Sequence, residues 1–138
     1  MLDESMYREQ IIDLYQNPLN YGHLEDADWT YEEDNPLCGD VIEVDVKLDE
    51  NGRVADIAWS GDGCAISQAS ASLLTDAVKG MTLEEVRHFP KEELLEMIGV
   101  PLSMARVKCA LLSLKVLKAG AYGMPDPETL HQHIDDEA

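Results

Sequence analysis

The clearest pattern in the chain runs from Val41 to Leu48, where Ile42, Val44, Val46 and Leu48 alternate with Glu43, Asp45 and Lys47. A period of two predicts a strand with one wet face, as antiparallel sheets allow. Asp49-Glu50-Asn51-Gly52 is a turn signal, since Asn and Gly tolerate positive φ, and Val54 to Ser60 returns as the second strand of a hairpin. Trp29-Thr30-Tyr31 carries strand-forming residues and predicts an edge strand. Elsewhere the period lengthens. Tyr7, Ile11, Leu14 and Tyr15 share a face at spacings of three and four, which predicts a helix over 5–16 ended by Asn17-Pro18. Ala65 to Lys79 is small or apolar, lacks proline and stops at Gly80, so it reads as a second helix. Thr82-Leu83-Glu84-Glu85 is a capping box opening a short helix, and Pro90 to Met97 predicts another that closes at Gly99. The last helix spans 101–118, with Val107, Leu111 and Leu114 along one apolar stripe, and Gly120, Gly123, Pro125 and Pro127 break it. The fold class implied is α+β: a small antiparallel sheet of two to three strands packed by about five or six helices.

Composition narrows this picture. At 138 residues and 45% hydrophobic content the chain has the material for one core, read as a single domain over 1–124, with 125–138 a mobile acidic tail. No basic leader precedes an apolar run and no segment approaches a membrane-spanning length, so the expectation is a soluble, cytoplasmic protein without a membrane partner. Three cysteines form a poor disulfide framework, which fits a reducing compartment. With 28 acidic against 10 basic residues the formal charge is −18, which argues against nucleic acid, whose phosphates need clustered Lys and Arg. The surplus reads either as a solvated surface suited to high salt or as steering toward a basic partner.

The chemistry gathers around Gly61-Asp62-Gly63-Cys64-Ala65-Ile66-Ser67, where a strand runs out, two glycines bend the chain and a helix begins. Cys64 therefore stands at or beside a helix N-terminus, where unpaired N–H groups and the positive end of the dipole favour an anionic sulfur. The hairpin brings the start of its first strand near the end of its second, so Cys38 and Asp40 should approach Cys64. Cys109 lies near the beginning of the last helix. Taken alone, Cys109 is equally readable as a small buried hydrophobe, and Asp40 as a turn-capping aspartate. Cys38 and Cys64 each have glycine beside them in a loop, where the backbone can come close to an ion. Three thiolates and one carboxylate suit a tetrahedral site for zinc, or for iron bridged by sulfide. The oxygen donor should hold iron less firmly than a fourth thiolate, favouring a site that passes a cluster on. A purely structural zinc site is the blander alternative, although such sites are closed and built from Cys and His. His131 and His133, on the acidic tail without further placed ligands, read as solvated.

These motifs carry a resemblance. Asn35-Pro-Leu-Cys-Gly-Asp40, Gly61-Asp-Gly-Cys-Ala-Ile-Ser67 with the following Gln68-Ala-Ser-Ala-Ser-Leu-Leu74, and Ala105-Arg-Val-Lys-Cys-Ala110 together resemble the IscU/SufU family of iron–sulfur cluster assembly proteins, which includes the NifU N-terminal domain. The likeness runs from about Tyr7 through Lys118. It implies a sheet with helices packed on one side and the cysteines gathered at an exposed end. It also implies a cysteine desulfurase that delivers persulfide sulfur, iron that joins it, and a [2Fe–2S] cluster handed to apo acceptor proteins. By position, Cys38, Cys64 and Cys109 would be thiolate ligands, Asp40 the carboxylate that tunes lability, and the four would hold zinc when no cluster is present. Cys109 would be the persulfide acceptor.

The family resemblance leaves two roles open: a scaffold that is a carrier and not a turnover enzyme, or a zinc-dependent sulfurtransferase fed by a SufS-type desulfurase. Lys108 stands before the third cysteine, as in the SufU branch, where it can modulate the neighbouring thiol or pair with Asp40 in an empty site. The short step from Cys64 to Cys109 lacks the SufU insertion, and Val100-Pro-Leu-Ser-Met104 departs from the Leu-Pro-Pro-Val-Lys chaperone motif of IscU proteins. The oligomeric expectation is a monomer or weak homo-oligomer.

Overall fold

The computed structural model describes residues 4–35 and 39–123, in the order α1 (Glu4–Gln16), β1 (Trp29–Asn35), β2 (Asp40–Leu48), β3 (Val54–Asp62), α2 (Ala65–Ala77), α3 (Leu83–Arg87), α4 (Lys91–Ile98) and α5 (Met104–Gly123). Cys38 and the acidic tail fall outside the described residues. Three strands form one antiparallel sheet in the order β1-β2-β3. The α+β expectation holds, with five helices among the described residues.

The alternation in β2 does what its period requires. Ile42, Val44 and Val46 are buried, and across β3 they meet Gly61, Trp59 and Ile57 respectively. Trp59 is wholly buried and donates its indole N–H to the Leu19 carbonyl at 2.8 Å. Tyr21 packs edge-on to that ring with centroids 4.9 Å apart. Each such large apolar side chain stabilises the fold by roughly 1.5–3 kcal/mol. Asp45, on the opposite face of β2, is nonetheless buried. Its carboxylate accepts from Thr30 Oγ1 and from the Leu24 N–H, both at 2.9 Å, and so pins the 20–28 loop across the sheet.

The edge strand extends four residues beyond Tyr31, because its register against β2 carries on to Asn35 opposite Asp40. In α1 the expected face is only partly right. Ile11 and Leu14 are buried, whereas Tyr15 is exposed on the flank. The capping box at Thr82 and the left-handed Gly99 closing α4 both form as read.

The larger correction concerns α5. Gly120 does not break it, and the helix runs on to Gly123. A Cβ at Gly120 would stand 2.7 Å from two ring carbons of Trp29, so the glycine lets the helix lie close on β1. Buried residues, including Cys109, Ala110, Leu112, Val116 and Leu117, cover more than half the circumference of α5, and Lys108, Lys115 and Tyr122 line its exposed side. It packs against β1, β2, α2, α3 and α4, the environment of a central helix. The three-residue stripe predicted for it is thus part of a wider buried surface, with Leu114 buried and Val107 and Leu111 half-buried at its edge.

Candidate metal and sulfur site

Three elements bring the predicted residues together. Asp40 is the first residue of β2 and lies 1% exposed. Cys64 follows the end of β3 and is the N-cap of α2, with extended backbone (φ −72°, ψ 169°) and no side-chain capping bond. Cys109 sits in the second turn of α5 and is completely buried. Ligand atoms of Asp40, Cys64 and Cys109 all lie within 4.8 Å of one another. Thiolates at about 2.3 Å from a tetrahedral ion would stand about 3.8 Å apart; Cys109 is disulfide-bonded in this structure, so its reduction and a small contraction would close the site on a metal.

Local sequence explains the convergence. The hairpin pairs Val41 with Asp62, which sets Asp40 beside the turn into α2. Asp40 Oδ1 then accepts the Cys64 N–H at 3.2 Å. Gly61, at φ +144°, lies so close to the Val41 carbonyl that any side chain would overlap it. Gly63 faces Asp40 directly: a Cβ there would stand 2.9 Å from Oδ1 and 3.0 Å from Cγ. Gln68 Nε2 closes the turn by donating to the Gly63 carbonyl at 2.9 Å. Small residues along α2 then let α5 approach. Ser67, Ala69, Ser70 and Ala71 are buried, and Ser70 donates to the Ala110 carbonyl and lies 3.2 Å from Ser113 Oγ. This contact holds the Cys109 turn against the start of α2.

Asp40 Oδ2 has no hydrogen-bond partner although it is buried. A buried carboxylate oxygen left unpaired costs free energy in the empty protein, and a cation beside it would remove that cost. The donor set, two sulfurs and an oxygen with a third cysteine outside the described residues, fits zinc or iron. Lys108 is exposed, one residue before the buried Cys109. Sequence reasoning passed over Ser67 as a site residue. It is wholly buried and its Oγ is unpartnered, and its spacing of three from the N-cap cysteine was the available signal.

Comparison with known proteins gives the family. The profile of the NifU-like N terminal domain matches residues 6–128. The chain belongs to that family. It is 37% identical over 134 residues to the zinc-dependent sulfurtransferase SufU of Bacillus subtilis, a match covering 85% of this chain and 90% of the relative. It is 36% identical over 116 residues to the iron–sulfur cluster assembly scaffold protein IscU of Haemophilus influenzae, covering 82% and 90%. Among solved structures, one from Fervidobacterium islandicum AW-1, described as an iron–sulfur cluster assembly scaffold for the SUF system, superposes with a TM-score of 0.69 at 26% identity. That match covers 87% of this chain and 99% of the other. The fold is therefore the IscU/SufU one, and no described helix is long and apolar enough to cross a membrane.

Proposed function

We propose that this protein is a scaffold for iron–sulfur cluster assembly in the cytoplasm. The observation that carries the reading is the convergence of Asp40, Cys64 and Cys109 around a buried carboxylate oxygen that lacks a partner. Cys38, Asp40, Cys64 and Cys109 hold the cargo, a [2Fe–2S] cluster, and hold zinc in its absence. Sulfur arrives from a cysteine desulfurase. The thiolate of Cys109 attacks the outer sulfur of the desulfurase persulfide, the S–S bond breaks, and the desulfurase cysteine leaves as its thiolate. Because Cys109 is buried and Cys64 half-exposed, delivery to Cys109 requires the start of α5 or its cover to open, with Cys64 the more accessible of the two described sulfurs. Asp40 contributes a harder, less firmly held ligand, which suits release to an apo acceptor. Lys108, one residue before the acceptor thiol, lends positive charge to an approaching persulfide.

Similarity to a zinc-dependent sulfurtransferase favours a second reading, in which zinc on the same four residues activates Cys109 for sulfur transfer and no cluster is built. One experiment separates them. The purified protein is incubated anaerobically with a cysteine desulfurase, cysteine and ferrous iron, then followed by visible absorption and Mössbauer spectroscopy alongside zinc analysis. A [2Fe–2S] spectrum that moves to an apo acceptor supports the scaffold. Retained zinc, no cluster and zinc-dependent stimulation of the desulfurase refute it in favour of the sulfurtransferase.

A further inference from the structure

Two buried side-chain oxygens beside the site have no hydrogen-bond partner: Asp40 Oδ2 and Ser67 Oγ. The first is accounted for as a ligand, and the second has no role so far. Ser67 is the third residue of α2 after its N-cap, Cys64. In a capping box the side chain at this position folds back onto the N-cap residue and takes its backbone N–H. Here Asp40 Oδ1 already takes the Cys64 N–H, at 3.2 Å. The Ser67 hydroxyl, buried one turn from the N-cap residue, is thus left with nothing to bond. It lies on the same side of Gly63 as Asp40 Oδ1, where a Cβ on that glycine would meet both oxygens. The Cys64 side chain makes no capping bond to the first turn of α2, whose N-terminal dipole adds positive potential at the same place.

We propose that Ser67 is a positioning residue that donates a hydrogen bond from Oγ to the anionic sulfur of Cys64 when the site is loaded. The inference rests on the metal-and-sulfur reading of these residues. In this structure no acceptor, the Cys64 sulfur included, lies within bonding reach of the hydroxyl; on loading, the ligands contract around the ion and the metal-bound thiolate is a strong acceptor. The bond therefore forms on loading, and Ser67 rewards the loaded state alone. An orphaned hydroxyl in the empty protein is a cost, so its removal should not weaken that state.

Ser67→Ala in the full chain, reduced and anaerobic, tests this with three readouts. The thermal midpoint of the metal-free protein should stay unchanged or rise. Zinc affinity, measured by competition with a chromophoric chelator, should weaken by about tenfold to a hundredfold, the range for a hydrogen bond to a charged group. With cobalt as the probe, the sulfur-to-cobalt charge-transfer band should move to lower energy, because a thiolate relieved of a hydrogen bond donates electrons more readily. An unchanged affinity and band in the variant would overturn the inference while leaving the site intact. A metal-free variant that melts earlier or fails to fold would also overturn it, by showing a structural role. Absence of any thiolate-to-cobalt band in the unsubstituted protein would instead strike at the metal-site reading itself.

Discussion

Gly63→Ala is the most demanding perturbation of the site. Gly63 has no left-handed backbone requirement, so alanine is tolerated conformationally and the effect is purely one of space. The new methyl carbon would stand 2.9 Å from Asp40 Oδ1 and 3.0 Å from Cγ, with Ser67 Oγ closer still. Comfortable carbon contacts begin at about 3.5 Å, so the neighbours must retreat by roughly half an ångström or more. Asp40 cannot do so through its backbone, which is paired in the sheet to Asn35. Its carboxylate must turn, giving up the Cys64 N–H and its aim at the cysteines. Overpacking of this kind costs about 1–3 kcal/mol. For a domain of this size about 1 kcal/mol moves the melting midpoint by roughly 4 °C, so a fall of about 4–12 °C is expected in the metal-free protein. Zinc affinity should fall at least about tenfold as the oxygen ligand is misplaced, since each such factor corresponds to about 1.4 kcal/mol. Differential scanning calorimetry and chelator competition measure the two. Gly61→Ala is the control: its methyl would collide with the Val41 carbonyl of the paired strand at a φ of +144°, so it should damage the fold itself. A Gly63→Ala protein with an unchanged midpoint and zinc affinity within about twofold of the parent would refute the packing of Asp40 and Ser67 over Gly63.

Asp40→Ala should leave the fold intact and lengthen the lifetime of a reconstituted cluster; faster loss, followed by the decay of visible absorption, would contradict the tuning role. In the reduced, metal-free protein, iodoacetamide should modify half-exposed Cys64 well before buried Cys109, as peptide mass spectrometry over time would show, and the reverse order would refute the burial pattern. The Thr82 backbone N–H, and secondarily its hydroxyl, hold the Glu85 carboxyl below the ordinary carboxylate range. A depressed folded value means that this stabilisation is complete at neutral pH and lost as pH falls through it. The gap in melting midpoint between parent and Glu85→Ala should therefore narrow below about pH 4, and a gap that persists or widens on acidification would count against the capping box.

Much of the framework was legible because the chain states it locally. The period-two run of β2, the Asn51-Gly52 turn and the capping box at Thr82 each fix their own conformation, and the structure follows them. What escaped depended on contacts distant in sequence. Gly120 reads as a breaker by propensity, yet it lies within α5 because Trp29, from the other end of the chain, needs the space that a side chain would fill. The burial of Asp45 is similar. Its strand position predicts a solvated carboxylate, and the bonds from the Leu24 N–H and from Thr30 Oγ1 make it an internal fastening.

The candidate site was read from its glycine-flanked cysteines and Asp40 instead, and in the structure the local rules conflict there. Within Gly61 to Ser67 a strained glycine, a glycine without room for a methyl group, a helix start without a side-chain cap and an orphaned hydroxyl occur together, opposite a buried carboxylate with one unpaired oxygen. A sequence selected only for stability would relieve these by capping α2 with serine or by supplying a partner to Asp40. Retaining them is intelligible if the missing partner comes from outside the chain. A cation held by Asp40, Cys64 and Cys109 would satisfy the carboxylate, and the thiolates that hold it would give Ser67 and the open helix end an anionic acceptor. The arrangement as a whole is therefore better matched to a loaded site than to an empty one, as a protein that receives and passes on metal and sulfur requires.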